Sequence, residues 1–581
     1  MGSMERISNV PTRGADGELE QWTLLEGGAL LHSTHCNQGS GFSKKDRGVF
    51  HLEGLIPERR ATLEQQVQLT FEAYSDITGD LAKYQFLSQL RDRNQTLFFA
   101  LVEKHLESIL PIIYTPVVGM ASQKFSRLAH TPSGIYLSYN HRGRIKEVLS
   151  HHLTSDIRII VVTDGERVLG LGDCGIGGMA ISVGKLELYT ACAGIHPAST
   201  LPIVLDVGTD NLDLLNDPLY LGLRHPRVRG KYYQAFVEEF VETLQLLCPD
   251  VLLQWEDFGK GNARRLLQRY RERICCFNDD IQGTGAVTLA ALMVACQTSG
   301  KTLAESDVVI LGAGSAATGI ADALVLAMLM EGYGLSEAKQ KIWLVDSQGL
   351  VHTRRQPIET EKLVYAQPWE KISSWASKKP VGLAETVRAV HPAILIGTSA
   401  QPKAFSKRIV QEMAQHTSRP IIFPLSNPTA HSEASPKDLL TWTDGRAIVA
   451  TGSPFPRVKC DAGEFTISQC NNAYLFPGVG LGILASGAVR VTDSMFLAAA
   501  KALAQYSLAG SHEGLFPDFS EIREISRTVA LAVGMEAMSR GESPNLAAPD
   551  LWARIDRLMW RPEYPHLKKA HRDSMDPRNW Q

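Results

Sequence analysis

The run from Val308 to Asp346 constrains the fold of this chain more than any other part of it. Four apolar residues, Val308–Leu311, pass directly into Gly312, Ala313, Gly314, Ser315, Ala316 and Ala317. A helix is predicted over Thr318–Met330, and the next strand, Ile342–Val345, stops at Asp346. Strand, GxGxxA turn, helix and acid-tipped strand are the parts of a βαβ unit that holds a dinucleotide. Gly312 allows the tight turn, Gly314 lets phosphate approach the backbone, and Ala317 permits close helix–strand packing. The unpaired N–H groups of the helix start favour the pyrophosphate's negative charge. The Asp346 carboxylate can take the hydroxyls of the adenosine ribose and would repel the extra phosphate of NADP. Gln348 is neutral, but Arg354, Arg355 and Lys362 follow and could curl back. NAD is therefore the expected cofactor, with NADP left open. The plainer reading is a Gly-rich turn whose glycines serve packing alone.

The same alternation extends on both sides. Strands are predicted at Ile159–Thr163, Val168–Gly170, Val251–Trp255, Ile274–Phe277, Ala393–Ile396, Ile421–Phe423 and Ala447–Ala450. Helices are expected from about Ala263 and across Ala286–Cys296. This pattern predicts an α/β chain of doubly wound parallel sheets, with a Rossmann-type domain beside a second domain. Thr62–Leu110 shows helical spacing and reads as a small helical cap. The expected divisions are an N-terminal arm at 1–55, a substrate and metal domain at 56–284, a dinucleotide domain at 285–544 and a tail at 545–581. The arm reads as lying over the surface, and the last residues, Tyr564–Gln581, as wrapped on a partner or loose.

At 581 residues the chain is too long for one core. Its 59 basic and 62 acidic residues leave a net charge of −3, so nothing electrostatic points to nucleic acid or an anionic membrane. Apolar runs such as Gly285–Cys296 fall short of the ~20 residues that cross a bilayer, so no membrane span is expected. Nine cysteines with no CxxC pair suggest a reducing compartment, and Cys275 and Cys276 read as packing residues. Asp16, Glu18 and Glu20 argue against a transit peptide. A cytoplasmic enzyme is the expectation.

Two predicted strands end in acids. Trp255 gives way to Glu256 and Asp257, and Asn278 to Asp279 and Asp280. Ligands of open parallel sheets collect at the carboxyl ends of strands, so these acids can share one pocket. Their mutual repulsion is resolved by a divalent cation, and hard oxygen donors suit Mg²⁺ or Mn²⁺. Either pair alone is as well explained by helix capping. Arg167 precedes a Gly-rich loop and can clamp a carboxylate. Lys185 lies among apolar residues, where desolvation would lower its pKa toward that of a usable base. A snorkelling Lys and a half-buried Tyr114 are the bland alternatives.

These residues stand in segments that resemble the malic enzymes. The matching stretches are Tyr-Thr-Pro at 114–116, Thr-Asp-Gly-Glu-Arg at 163–167 and Gly-Leu-Gly-Asp at 170–173. Gly-Lys-Leu at 184–186, Trp-Glu-Asp-Phe at 255–258 and Phe-Asn-Asp-Asp-Ile-Gln-Gly-Thr at 277–284 follow. Leu-Ser-Asn-Pro-Thr at 425–429 and Cys-Asn-Asn-Ala-Tyr-Leu-Phe-Pro-Gly at 470–478 complete the series, and Gln469–Thr492 looks most like bacterial NAD-linked members.

The resemblance implies oxidative decarboxylation of L-malate to pyruvate and CO₂, by a homo-oligomer, dimer or tetramer. It implies Tyr114 as general acid, Lys185 as general base and Asp279 as its support. Glu256, Asp257 and Asp280 would hold the metal. Arg167, Asn427 and Asn472 would hold the substrate. Arg167, Thr284, Gly312, Gly314, Ala317, Asp346, Asn427 and Asn471 would line the cofactor. A malolactic enzyme, which releases lactate, is the nearest rival. Arg167 and Thr115 speak against it, since that group tends to lack the Arg and to carry Asp at the second position. Another hydroxy-acid dehydrogenase and a non-catalytic NAD-binding regulator are the remaining alternatives.

Overall fold

The computed structural model describes residues 8–14, 17–128, 133–376, 380–544 and 547–570. The chain divides into two compact units. The first comprises Met1–Gly165, Asp173–Leu253 and Asp556–Gln581, and the second Glu166–Gly172 and Gln254–Ile555.

In the first unit, the predicted helical cap is four helices: Leu63–Ser75, Asp80–Arg93, Gln95–Lys104 and Leu106–Ile113. The first begins with a capping box, Thr62 accepting from the Gln65 N–H while the Gln65 side chain accepts from the Thr62 N–H. Strands β1 (Thr12–Arg13) and β2 (Leu19–Thr23) lie in the arm. The segment His566–Lys569 pairs in parallel with β2, from His566 opposite Glu20 to Lys569 opposite Thr23. Leu567 packs into a small core with Leu30, Cys36, Phe42, Phe50 and Leu52. This corrects the expectation for the tail. Its segment His566–Lys569 is a strand laid on the chain's own arm, and residues 571–581 lie outside the described residues. The pairing joins chain ends over 540 positions apart, so local patterning gave no sign of it.

Further into this unit are β3 (Ile135–Ser138), β4 (Ile159–Thr163) and β5 (Thr200–Asp206), with β5 paired in parallel to both others. Helix Met179–Ala193 follows β4 and is buried at every one of its 15 positions. The expected strand Val168–Gly170 is a turn closed by a single bridge between Val168 and Gly172. Leu169 at φ +50 and Gly172 at φ +86 bend the chain too sharply for a ladder.

Strand β6 (Leu252–Trp255) begins in the first unit and ends in the second, where β7 (Cys276–Asn278) carries the second acid pair. The large sheet of the second unit contains β8 (Val308–Leu311), β9 (Ile342–Asp346), β10 (Gly349–Leu350), β11 (Ile394–Gly397), β12 (Ile421–Pro424) and β13 (Ile448–Thr451). After a hairpin of β14 (Val458–Cys460) and β15 (Gly463–Phe465), β16 (Ser468–Gln469) completes it, in the order β10-β9-β8-β11-β12-β13-β16. Every pairing from β9 across to β16 is parallel; β10 alone runs against its neighbour. Strands such as Val308–Leu311 are wholly buried, which is why their sequences are unbroken apolar runs rather than alternating ones. Predicted strand centres therefore fall within a residue or two of those observed, a doubly wound Rossmann-type arrangement.

One helical stretch among the described residues, the 21-residue Asp279–Ser299, is long and apolar enough to cross a membrane, although the sequence reading expected none. Some 78% of its apolar window is buried inside the protein, so its composition is explained by packing on all sides.

Candidate active site and dinucleotide crevice

The acids at the ends of β6 and β7 do converge. Glu256, Asp257 and Asp280 each offer a carboxylate oxygen, and the three lie within 4.8 Å of one another. Glu256 and Asp257 are buried and Asp280 is half-buried. The Asp257 N–H donates to Asp280 Oδ2 at 2.8 Å, and Gln254 Nε2 to Glu256 Oε2 at 2.8 Å. Asp257 stands at φ +56, a left-handed conformation that aims both its N–H and its side chain into the cluster. The donor set is carboxylate oxygen throughout, with two of three members buried, and it fits Mg²⁺ or Mn²⁺.

The Arg167 loop lies against this cluster. Arg167 N–H donates to the Asp257 carbonyl at 3.0 Å, and Leu169 N–H to Asp257 Oδ1 at 3.2 Å. Gly170 lets the loop meet Asn427, because a Cβ there would lie 2.2 Å from the Asn427 carbonyl oxygen. The Arg167 side chain is exposed. Asn427 Oδ1 accepts from Ser453 Oγ at 2.5 Å.

Asp279, fully buried, opens a single π-helical turn over Asp279–Gly283 that continues into helix Thr284–Ser299. Such turns recur at functional sites because they re-aim side chains. Asn472 Nδ2 donates to Asp279 Oδ2 at 2.9 Å and to Thr284 Oγ1 at 3.1 Å, which joins three of the residues singled out by sequence. Asn471 is buried, and its Oδ1 accepts the Ala473 N–H at 3.0 Å.

Within the first unit, Lys185 sits in the middle of the buried helix, 2% exposed, with Nζ 5.4 Å from the centre of the Tyr114 ring. Gly184 makes this approach feasible, since a Cβ on it would lie 2.9 Å from the Ile113 carbonyl oxygen. Lys185 is not the snorkelling surface group of the plain reading, and Tyr114 is more deeply buried than the half-buried aromatic it offered. Tyr114 is 5% exposed.

The turn after β8 has the form that its sequence requires. Gly312 is at φ +121, and a Cβ there would strike Thr398 Oγ1 at 2.4 Å. A Cβ on Gly314 would meet nothing within 4 Å, so the turn faces open space where a phosphate can approach. Ala317 is buried, yet the closest backbone approach of this helix is at Gly319, where a Cβ would lie 2.2 Å from the Ile281 carbonyl oxygen. At Asp346 two of the three suspected cations do curl back. Arg355 Nη2 and Lys362 Nζ reach Asp346 Oδ2 at 2.6 and 2.7 Å. Arg354 instead lies over the Trp369 ring.

Two family models match the chain: "Malic enzyme, N-terminal domain" over residues 91–271 and "Malic enzyme, NAD binding domain" over 281–538. A protein of Aliivibrio fischeri named NAD-dependent malic enzyme is 45% identical over 547 residues, spanning 94% of this chain and 97% of the relative. The chain belongs to the malic enzyme family. A second malic enzyme relative, from Edwardsiella ictaluri and also named NAD-dependent, is 46% identical with the same coverage. The crystal structure of Entamoeba histolytica malic enzyme matches with a TM-score of 0.55 at 24% identity, over 88% of this chain and 90% of that one. The malic enzyme of Pyrococcus horikoshii matches with a TM-score of 0.53 at 23% identity, over 78% and 89%. These two likenesses are of fold.

Several residues that shape the candidate site drew no reading of their own from the sequence. Gly283 lies inside a quoted motif but drew no reading of its own; a Cβ on it would lie 1.8 Å from Asp279 Oδ1. Gly319 sits two positions past the GxGxxA turn. Ser399 and Glu433 are ordinary loop residues by type, and Ser426 lies inside the quoted 425–429 motif without a reading of its own; shared hydrogen bonds bring the three together.

Proposed function

We propose that this chain oxidises and decarboxylates L-malate to pyruvate and CO₂ with NAD as hydride acceptor and a divalent cation bound. The observation that carries the reading is the buried convergence of Glu256, Asp257 and Asp280 in the unit that also holds the Gly312–Gly314 turn. Family membership and the names of the bacterial relatives support malate and NAD.

In this reading Glu256, Asp257 and Asp280 would hold Mg²⁺ or Mn²⁺, which would supply a Lewis acid for the C2 hydroxyl and for the negative charge that develops on its oxygen. Gly312, Gly314, Ala317, Asp346, Thr284 and Asn471 would hold NAD, which would supply the acceptor for the C2 hydride. Lys185 accepts the proton of the C2 hydroxyl. The resulting 2-oxo acid bears a carboxylate beta to its carbonyl and loses CO₂. Tyr114 then donates a proton to C3, which gives pyruvate. Arg167, Asn427 and Asn472 hold the substrate's carboxylates and hydroxyl, and Arg167 and Asn427 also border the cofactor. Asp279 supports the base chemistry, its carboxylate fixed by Asn472.

The test is absorbance at 340 nm with L-malate and Mn²⁺, run with NAD and NADP in parallel. A metal-dependent rate faster with NAD, with pyruvate as product, is expected. Malate consumed to lactate without reduced dinucleotide would overturn the oxidative reading in favour of a malolactic one. Lys185→Ala should lower kcat by roughly 10²-fold or more while leaving NAD binding near wild type. An unchanged kcat would remove Lys185 from its role.

The reading also places the enzyme in the cytoplasm as a homo-oligomer. Eight of the nine cysteines are buried and none forms a disulfide, as suits a reducing compartment. Leu212, Leu219, Leu221 and Tyr232, 60–74% exposed, are apolar surface that subunit assembly would cover. Light scattering of the purified chain reads the oligomeric state directly.

A further inference from the structure

At the carboxyl ends of β11 and β12 lies a buried carboxylate with no part in the reading above. Glu433 is 0% exposed. Its Oε1 accepts the Ser399 N–H at 2.7 Å, the Ser399 hydroxyl at 2.9 Å and the Ser426 hydroxyl at 2.6 Å. Its Oε2 accepts the Ser426 N–H at 3.4 Å. Gly397 makes room for it, because a Cβ there would lie 2.5 Å from Glu433 Cδ. The Ser426 hydroxyl oxygen in turn accepts the Ala400 N–H at 2.8 Å. Ala400 stands at φ +54, a left-handed conformation that a side chain adopts only under constraint. One carboxylate thus fastens two strand-end loops and holds a strained residue between them.

The position matters because of the strand order. β9 and β11 pair with opposite edges of β8, so the order reverses between β8 and β11. Ligands of open parallel sheets bind at that reversal, outside the carboxyl ends. Thr398 forms one wall there, its N–H donating to the Leu311 carbonyl at 2.8 Å beside Gly312. The segment from Thr398 to Ala400 therefore runs from the dinucleotide turn to Ser426, the residue before Asn427.

We propose that Glu433 is a positioning residue that locks the Thr398–Ala400 segment and the Ser426–Asn427 corner into one geometry, and so sets the affinities for NAD and malate together. The malate half rests on Asn427 as a substrate ligand. Removing the carboxylate leaves four donors, three on Oε1 and one on Oε2, without their buried acceptor and releases Ala400 from its conformation.

Three variants test this. Glu433→Gln keeps an amide oxygen in the place of Oε1 for all three donors. Glu433→Ala removes the acceptor, and Ser426→Ala removes the hydroxyl that bridges Glu433 Oε1 to the Ala400 N–H while leaving the carboxylate and its bonds from Ser399 in place. Melting temperatures, NAD dissociation constants from calorimetry without malate, and both KM values are measured with kcat. Glu433→Gln should stay within about threefold of wild type in the NAD dissociation constant and both KM values, since the three bonds to Oε1 are retained and only the long Ser426 N–H bond to Oε2 is lost. Ser426→Ala should raise the NAD dissociation constant and the malate KM together by roughly three- to tenfold, with its melting temperature close to wild type, and Glu433→Ala should raise them further. A smaller fall in kcat than in kcat/KM is expected, because the residue touches no reacting atom.

Unchanged NAD and malate affinities in Ser426→Ala and Glu433→Ala overturn the proposal. So does a Glu433→Gln variant as impaired as Glu433→Ala, since the retained acceptor would then count for nothing. If Glu433→Ala fails to fold, the Gln and Ser426→Ala variants decide the outcome. Wild-type protein that binds NAD but leaves malate unreacted would sink the malate reading alone, while the NAD dissociation constants would still judge Glu433.

Discussion

At Asp346 one carboxylate holds Arg355 at 2.6 Å and Lys362 at 2.7 Å, and also accepts the Gln348 N–H at 2.9 Å. Burial is the largest single influence on its pKa and pushes it up, but the hydrogen bonds from Arg355, Lys362 and Gln348 outweigh it and bring it down to about 2. The native value lies below the ordinary 3.8, so the contribution to stability is present above about pH 4 and lost as pH falls toward 2. Asp346 is therefore ionised throughout the working range, and the two cations nearest this acid are already engaged. Removing its charge frees them for a phosphate. Asp346→Asn should shift the ratio of kcat/KM values toward NADP by roughly tenfold, about 1.4 kcal/mol. Parallel assays at 340 nm read the ratio, and an unaltered value would place the adenosine ribose elsewhere. Residue type showed the acid and its three candidate cations, but not which two would return to it.

The element that matters most is the helix from Asp279 to Ser299. Its first turn is π-helical, and Gly283 is needed there for space rather than for backbone freedom, with an ordinary helical φ of −65. A Cβ at 283 would meet the Asp279 carboxylate, the far end of a side chain that can move, and not backbone. Gly283→Ala should therefore fold and melt close to wild type yet displace Asp279, lowering kcat by roughly 10²-fold, the scale of a 1 Å misplacement. A variant with native kcat would show that Asp279 does not need its present place. Gly285 and Gly319 let this helix and Ser315–Met330 touch backbone to backbone, a Cβ on Gly285 lying 2.6 Å from the Gly319 carbonyl oxygen. The acid-bearing turn and the dinucleotide helix are thus packed as one piece. Sequence periodicity places both helices but gives no hint of this crossing, because a glycine's packing partner is not written in its neighbours.

Across the whole molecule, acid sensitivity is built into the first unit. Burial lowers the pKa of His196 to about 3, with neighbouring His35 adding to the effect, and burial lowers His35 itself. His196 Nδ1 accepts the Ala198 N–H at 3.1 Å, a bond that protonation there would remove. Between about pH 3 and 6.5 the unfolded chain takes up a proton that the native His196 refuses, so stability rises with pH in that window. Stability should accordingly fall as pH drops from 6.5, and His196→Gln should flatten the dependence. Urea midpoints at a series of pH values check it, and equal slopes for both proteins would show that other groups control acid unfolding.

By itself the sequence determined the parallel sheets, the form of the Gly-rich turn and the acids that gather at the ends of β6 and β7. Buried parallel strands must be apolar runs, a phosphate-binding turn must lack side chains, and a carboxylate cluster must attract a hard cation. These are local requirements, so they are legible in Val308–Gly314 or in Asp279–Asp280. Only the tertiary structure decided that His566–Lys569 pairs with the arm, that Val168–Gly170 turns instead of extending, and that Glu433 holds Ser399 and Ser426. Each of those outcomes depends on partners far away in the chain or on a strained backbone, and neither is encoded in residue type or spacing.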